Sequence, residues 1–192
     1  MGKIEEFSDE VKDLKEFIAL ATVSAKEYQK TNIALVKHFT KDNNIPGVYV
    51  TLNKPYENVK ILLEKSGVDT GMILFIDAVT PTDGKKTKKT KDCLFMGNPE
   101  NLSDLSIAMD QAIRALPGND KFLFFDSLST LLVYNSIPTV AQFIHFLATR
   151  MRGWKVKGII ISLERKQDKE LIDELSQFCD VVMDFGDKGG KK

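Results

Sequence analysis

Cysteine and histidine are scarce in this chain, with two of each in 192 residues. Cys93 and Cys179 are far apart and lack metal-ligand spacing, so a disulfide scaffold is not expected, and two buried thiols in a reducing compartment are. His38 and His145 have no cysteine or second histidine at ligand spacing, which argues against a metal centre built on them. Net charge is absent too: Lys plus Arg and Asp plus Glu number 27 each. No global field therefore draws the protein to nucleic acid or to an anionic membrane, and such a partner would need a local patch. No apolar run reaches the roughly 20 residues of a membrane span. The start, Met-Gly-Lys-Ile-Glu-Glu, is acidic and has no apolar h-region, so the expected location is cytoplasmic, without membrane contact. There is no nucleophile-elbow glycine pattern to support hydrolase chemistry. With no internal repeat and no interdomain linker, the expectation is one domain over residues 1–192, with a core at about 16–185 and a basic tail at 186–192.

What the chain does have is 43% apolar residues, arranged in short runs at 17–23, 47–52, 72–78, 122–126, 156–162 and 180–185. Segments with helical spacing lie between them, at 25–41, 55–66, 101–116, 139–152 and 168–178. This alternation predicts the α/β class, a mainly parallel sheet with crossover helices. The runs at 122–126 and 158–161 are apolar throughout, as central strands covered on both faces should be. Pro55 suits the first turn of its helix, and Asn101 or Ser103 can cap the next one. Phe143, Phe146, Leu147 and Met151 share helical spacing and are expected in the core.

The most informative stretch is Lys121-Phe-Leu-Phe-Phe-Asp-Ser127, an apolar strand ending in an Asp-Ser pair. A carboxylate at the carboxyl end of a buried strand points into the crevice where α/β sheets bind ligands, and in phosphate-loop proteins that aspartate orders a metal. Read in order, the surrounding pieces resemble the RecA superfamily and, within it, the KaiC-like ATPase domain, from about Glu16 to Phe185. Gly47-Val-Tyr-Val-Thr-Leu-Asn-Lys-Pro-Tyr-Glu57 resembles that family's second strand and turn. Gly67-Val-Asp69, a strand ending in Asp77, a basic loop and a helix follow. Phe124-Phe-Asp-Ser-Leu-Ser-Thr-Leu-Leu132 is similar to its Walker B strand, and Gly158 to Ser162 with Cys179-Asp-Val-Val-Met-Asp184 to its closing half. The resemblance implies a three-layer αβα sandwich with sheet order 3-2-4-5-1-6.

The same resemblance places a phosphate loop at Ser24-Ala-Lys-Glu-Tyr-Gln-Lys-Thr31. Such a loop needs G-x-x-x-x-G-K-[ST], because glycine lets backbone N–H groups curl around phosphate without side chains in the cradle. Lys30 and Thr31 keep the terminal pair, but Ser24 and Gln29 stand where the glycines should be. A left-handed backbone at a non-glycine residue costs roughly 1 to 2 kcal/mol. The residues read instead as helix: Ser24-x-x-Glu27 is a capping box, and Tyr28, Leu35, Val36 and Phe39 fall on one face. Asn53 and Lys54 occupy the positions of the family's paired glutamates, and neither serves as a general base. No catalytic residue is therefore expected.

The expected function is a non-catalytic, pseudo-ATPase module of regulatory or signalling type that binds a protein partner, either a related active ATPase or a second copy, with no cofactor. On that reading Asp126 caps the turn after its strand, and Ser127 bonds the loop backbone. An alternative is an ATP-binding protein or very slow ATPase, with Ser24, Lys30, Thr31, Asp126 and Ser127 around the nucleotide and Thr31 and Asp126 on magnesium. A second alternative is a nucleic-acid accessory factor using the basic patch Lys85, Lys86, Lys88, Lys89 and Lys91, which holds no aromatic residue for base stacking. Arg150, Arg152 and Arg165 are candidates for contact with a neighbouring subunit.

Overall fold

The computed structural model describes residues 2–81, 90–165 and 168–186. Lys85, Lys86, Lys88 and Lys89 of the basic patch, and residues 187–192 of the tail, lie outside them. The chain opens with α1 (Lys3–Val11) and β1 (Phe17–Val23), then α2 (Tyr28–Lys37), which ends in a π-turn at His38–Asp42. Next come β2 (Gly47–Thr51), α3 (Tyr56–Lys65), β3 (Ile73–Asp77), β4 (Cys93–Phe95) and α4 (Leu102–Ala115). The remainder is β5 (Phe122–Asp126), α5 (Leu128–Tyr134), α6 (Ile137–Trp154), β6 (Lys157–Leu163), α7 (Lys169–Ser176) and β7 (Val181–Asp184).

The seven strands form one sheet in the order β4-β3-β2-β5-β6-β1-β7, parallel at every pairing. In terms of the six expected strands this is 3-2-4-5-1-6, with β4 added beyond the third. β5 and β6, the two runs that are apolar throughout, sit in the middle, where both faces are covered. Alternate residues feed two cores. Leu20, Val50, Leu123, Phe125 and Ile160 pack under α4, α5, α6 and α7. Phe17, Tyr49, Phe75, Phe122, Phe124 and Ile159 pack under α1, α2 and α3. The result is the three-layer α/β sandwich.

Several expectations are corrected. The helix expected from residue 25 starts at Tyr28, because 25–27 form a turn. Ser24 makes only half a capping box: its Oγ accepts from the Glu27 N–H at 3.3 Å, while the Glu27 carboxylate turns to Lys30. Pro55 precedes the first turn of α3 rather than joining it. Asn101 caps α4, accepting from the Asp104 N–H at 3.1 Å. Phe143, Leu147 and Met151 are core, but Phe146 is 48% exposed. α1 and β4 were not expected at all. Gly47 is required by close approach, since a Cβ there would sit 2.3 Å from the Phe122 ring.

Candidate functional site

β5 ends at Asp126, flanked in register by Thr51 of β2 and Ile161 of β6. Alternation turns its side chain to the face shared by Phe122 and Phe124, toward α2, where it is 2% exposed. A carboxylate buried this far must be hydrogen-bonded. Two phenols do it. The Tyr28 hydroxyl, from the first residue of α2, donates to Oδ1, and the Tyr49 hydroxyl, from β2, donates to Oδ2. The Tyr49 ring stacks on Phe124 with centroids 5.0 Å apart, which fixes its reach. The Asn53 amide donates to the Tyr28 hydroxyl in turn. Asn32, one helical turn beyond Tyr28, lines the same cleft, with its Oδ1 buried and without a hydrogen-bond partner.

Burial pushes the Asp126 carboxyl above the usual carboxylate range, against the opposing pull of the Tyr28 and Tyr49 hydrogen bonds and the Lys54 charge. Burial, followed by the Asp126 charge, raises both Tyr28 and Tyr49 above an ordinary phenol. Both therefore keep their protons and act as donors at neutral pH. The cleft left between Asp126, Tyr49, Asn32 and Lys54 amounts to about 20 Å³, which is room for about one water.

The structure brings some of the expected site residues together and separates others. Ser24 ends up in the turn before α2. Lys30 projects outward with its side chain 82% exposed, 3.4 Å from Glu27, whereas Thr31 beside it is buried at 6%. Both are helix residues, Lys30 on the solvent side of α2 and Thr31 on its buried side. Asn53 and Lys54 do lie next to Asp126, Asn53 through Tyr28 and Lys54 along the cleft. The turn that carries them is closed by Thr51 Oγ1 donating to the Lys54 carbonyl at 2.6 Å.

Asp126 does not cap the following helix. Ser127 is the residue at the start of α5, joined to Asp126 by a cis peptide, and its Oγ meets Thr130 Oγ1 at 3.1 Å rather than a backbone group. Lys91 lies away from the site, on a cleft at the β4 edge. Arg150 and Arg152 are engaged within the chain, by Asp110 at 2.7 Å and Asp180 at 3.1 Å. Among the described residues no group of three or more His, Cys, Asp or Glu side chains converges on a metal site, and no helix is long and apolar enough to cross a membrane. Tyr49 and Asn32 were not singled out from the sequence, and Tyr28 was read only as a core-facing helix residue. The period-2 pattern of β2 was the available signal, since it places Tyr49 and Thr51 on one face.

Comparison with solved structures gives the same fold. The chain is similar to the KaiC-like protein PH0186 from the hyperthermophilic archaeon Pyrococcus horikoshii, at 14% identity and TM-score 0.63, covering 91% of this chain and 74% of that one. It is also similar to the protein PH0321 from Pyrococcus horikoshii, solved with an unknown peptide, at 14% identity and TM-score 0.68, covering 95% and 82%. At such identity the likeness speaks to fold alone, that of a RecA/KaiC-like domain. No curated protein matches the chain. A family model does match, over residues 30–185, from the helix behind Tyr28 to the end of the last strand, and the chain accordingly belongs to the family of unknown function DUF7504.

Proposed function

We propose that this RecA/KaiC-like domain is a non-catalytic, pseudo-ATPase module that acts by binding another protein. The observation that carries the reading is the occupancy of Asp126, whose two oxygens accept from Tyr28 and Tyr49. Tyr28 comes from the very segment where a phosphate loop would run. A magnesium ion on Asp126 would have to displace both hydroxyls, and a phosphate group would not fit a cleft of about 20 Å³. The residues present do not suit a magnesium nucleotide. Asn53 donates to Tyr28 and offers no basic atom, and Lys54 is a cation, so neither supports activation of water. The peptide bound to PH0321 supports protein binding as a use of the fold.

The test is a melting curve with and without magnesium ATP. No shift is expected. A ligand at about a hundred times its dissociation constant would add about 2.7 kcal/mol of stability. A clear upward shift that Lys30→Ala or Asp126→Ala abolishes would overturn the proposal in favour of an ATP-binding protein.

A further inference from the structure

Asp126 lies at the carboxyl end of the sheet. At the opposite end, α1, the end of α2 and the amino ends of β1 and β6 border a polar cleft of about 280 Å³, lined in part by His38. α1 is seated here through one ring. Phe7 is 1% exposed and meets Phe17, Phe39 and His38, the last at 6.0 Å with 77° between the planes. His38 in turn lies 5.2 Å from Phe39, again edge to face, so the imidazole is one wall of the seat. It opens the π-turn His38–Asp42, and such turns are rare and cluster at functional sites.

Asn43, the residue after that turn, fixes the state of the ring. Its Nδ2 donates to the His38 carbonyl at 2.7 Å and faces His38 Nε2 at 3.3 Å. A carbonyl only accepts, so the amide cannot turn its oxygen that way without setting two acceptors together. Nε2 is therefore the acceptor at this contact, and the ring is neutral with its proton on Nδ1. A second proton would bring two donors face to face. The charged side chains along the cleft are already engaged: Lys12 of α1 with Asp9 at 3.6 Å, and Lys157 of β6 with Asp120 at 3.0 Å. Burial holds His38 below the ordinary histidine range, against the opposing charge of Asp42 on the same turn.

We propose that His38 is a pH-sensitive catch for α1: the neutral ring, held by Asn43, seats Phe7, and protonation of Nε2 breaks that hold and lets the helix lift from Phe17 and Phe39. The released ring takes up a proton more readily than the seated one. Its contribution is therefore full above about pH 6.5 and is lost as pH falls through the seated ring's lower value. Asp126 titrates in the opposite sense at the far end of the sheet, and the proposal does not depend on what it binds. Nitrogen NMR of the histidine rings and hydrogen exchange of the full chain, between about pH 8 and about pH 5 where histidines titrate, test it. Expected are an Nδ1–H tautomer at the upper end and, as pH falls, loss of amide protection in α1 with the same midpoint as His38 itself. α4 stays protected. His38→Gln keeps an acceptor for Asn43 but has no proton to gain, so its α1 protection, corrected for intrinsic exchange, does not change with pH. If that variant fails to fold, as judged by circular dichroism, the agreement of the two midpoints in the unaltered chain decides. An Nε2–H tautomer overturns the proposal. So does α1 protection that ignores the titration of His38, falls together with that of α4, or keeps its pH dependence in His38→Gln.

Discussion

A carboxylate removed from water keeps its charge only as far as its partners replace the lost hydration. At Asp126 those partners are two neutral phenols, with the Lys54 charge nearby, and the net result is a carboxyl raised above its ordinary value. The folded chain therefore takes up this proton more readily than the unfolded chain, whose aspartates titrate near 3.9. The stabilising contribution is complete below that value and is lost as pH rises through the folded-state value. Asp126→Asn removes the titration. Urea unfolding at a series of pH values should show the stability difference moving against wild type from about pH 4 upward, and a flat difference would contradict the raised carboxyl. The aspartate itself was legible in the sequence, because an apolar run ending in Asp-Ser is a local pattern. Its partners were not, since Tyr28 and Tyr49 lie 98 and 77 residues away. They meet it through the register of β2 on β5 and the direction in which α2 leaves β1, which no local pattern contains.

Helix ends show the same division between local and long-range information. α6 stops at Lys155, which takes the left-handed conformation with φ 56° and ψ 43°, its N–H bonded to the Arg152 carbonyl. Glycine is the usual residue at such a position, and a side chain there costs roughly 1 to 2 kcal/mol. Lys155 is exposed, so little packing is lost in Lys155→Gly. The variant should gain about 1 kcal/mol and melt a few degrees higher, and a lower melting temperature would show that the lysine side chain contributes more than its backbone costs. Apolar runs located the six longer strands to within a residue or so, because buried strands in a parallel sheet are continuously apolar. β4 escaped because three residues are too few to show a period. The helix expected at 139–152 begins earlier, at Ile137, because Ser136 caps it and Pro138 helps to start it. Phe146 was misplaced because helical spacing gives a face and not the position of the neighbouring helix.

At the scale of the whole molecule, rings tie the first helix to the centre of the sheet. Phe7 of α1 meets Phe17 and Phe39 edge-on, at 6.0 Å and 6.5 Å, and Phe39 stacks on Phe122 of β5 at 5.1 Å. α1 is thereby part of the core rather than an appendage, although the sequence pattern placed the core's start after it. Phe7→Ala should lower the unfolding free energy by about 3–5 kcal/mol. Near-UV and far-UV circular dichroism should still report a single transition. A small loss with separate transitions would mean that α1 unfolds independently.

Tyr28 reaches Asp126 as part of the same chain, so its hydroxyl is present at a concentration set by geometry, on the order of millimolar or above for tethered groups. A diffusing competitor rises and falls with metabolic supply, and this occupant does not. On the proposed reading, the carboxyl end of the sheet is insulated from the energy state of its surroundings.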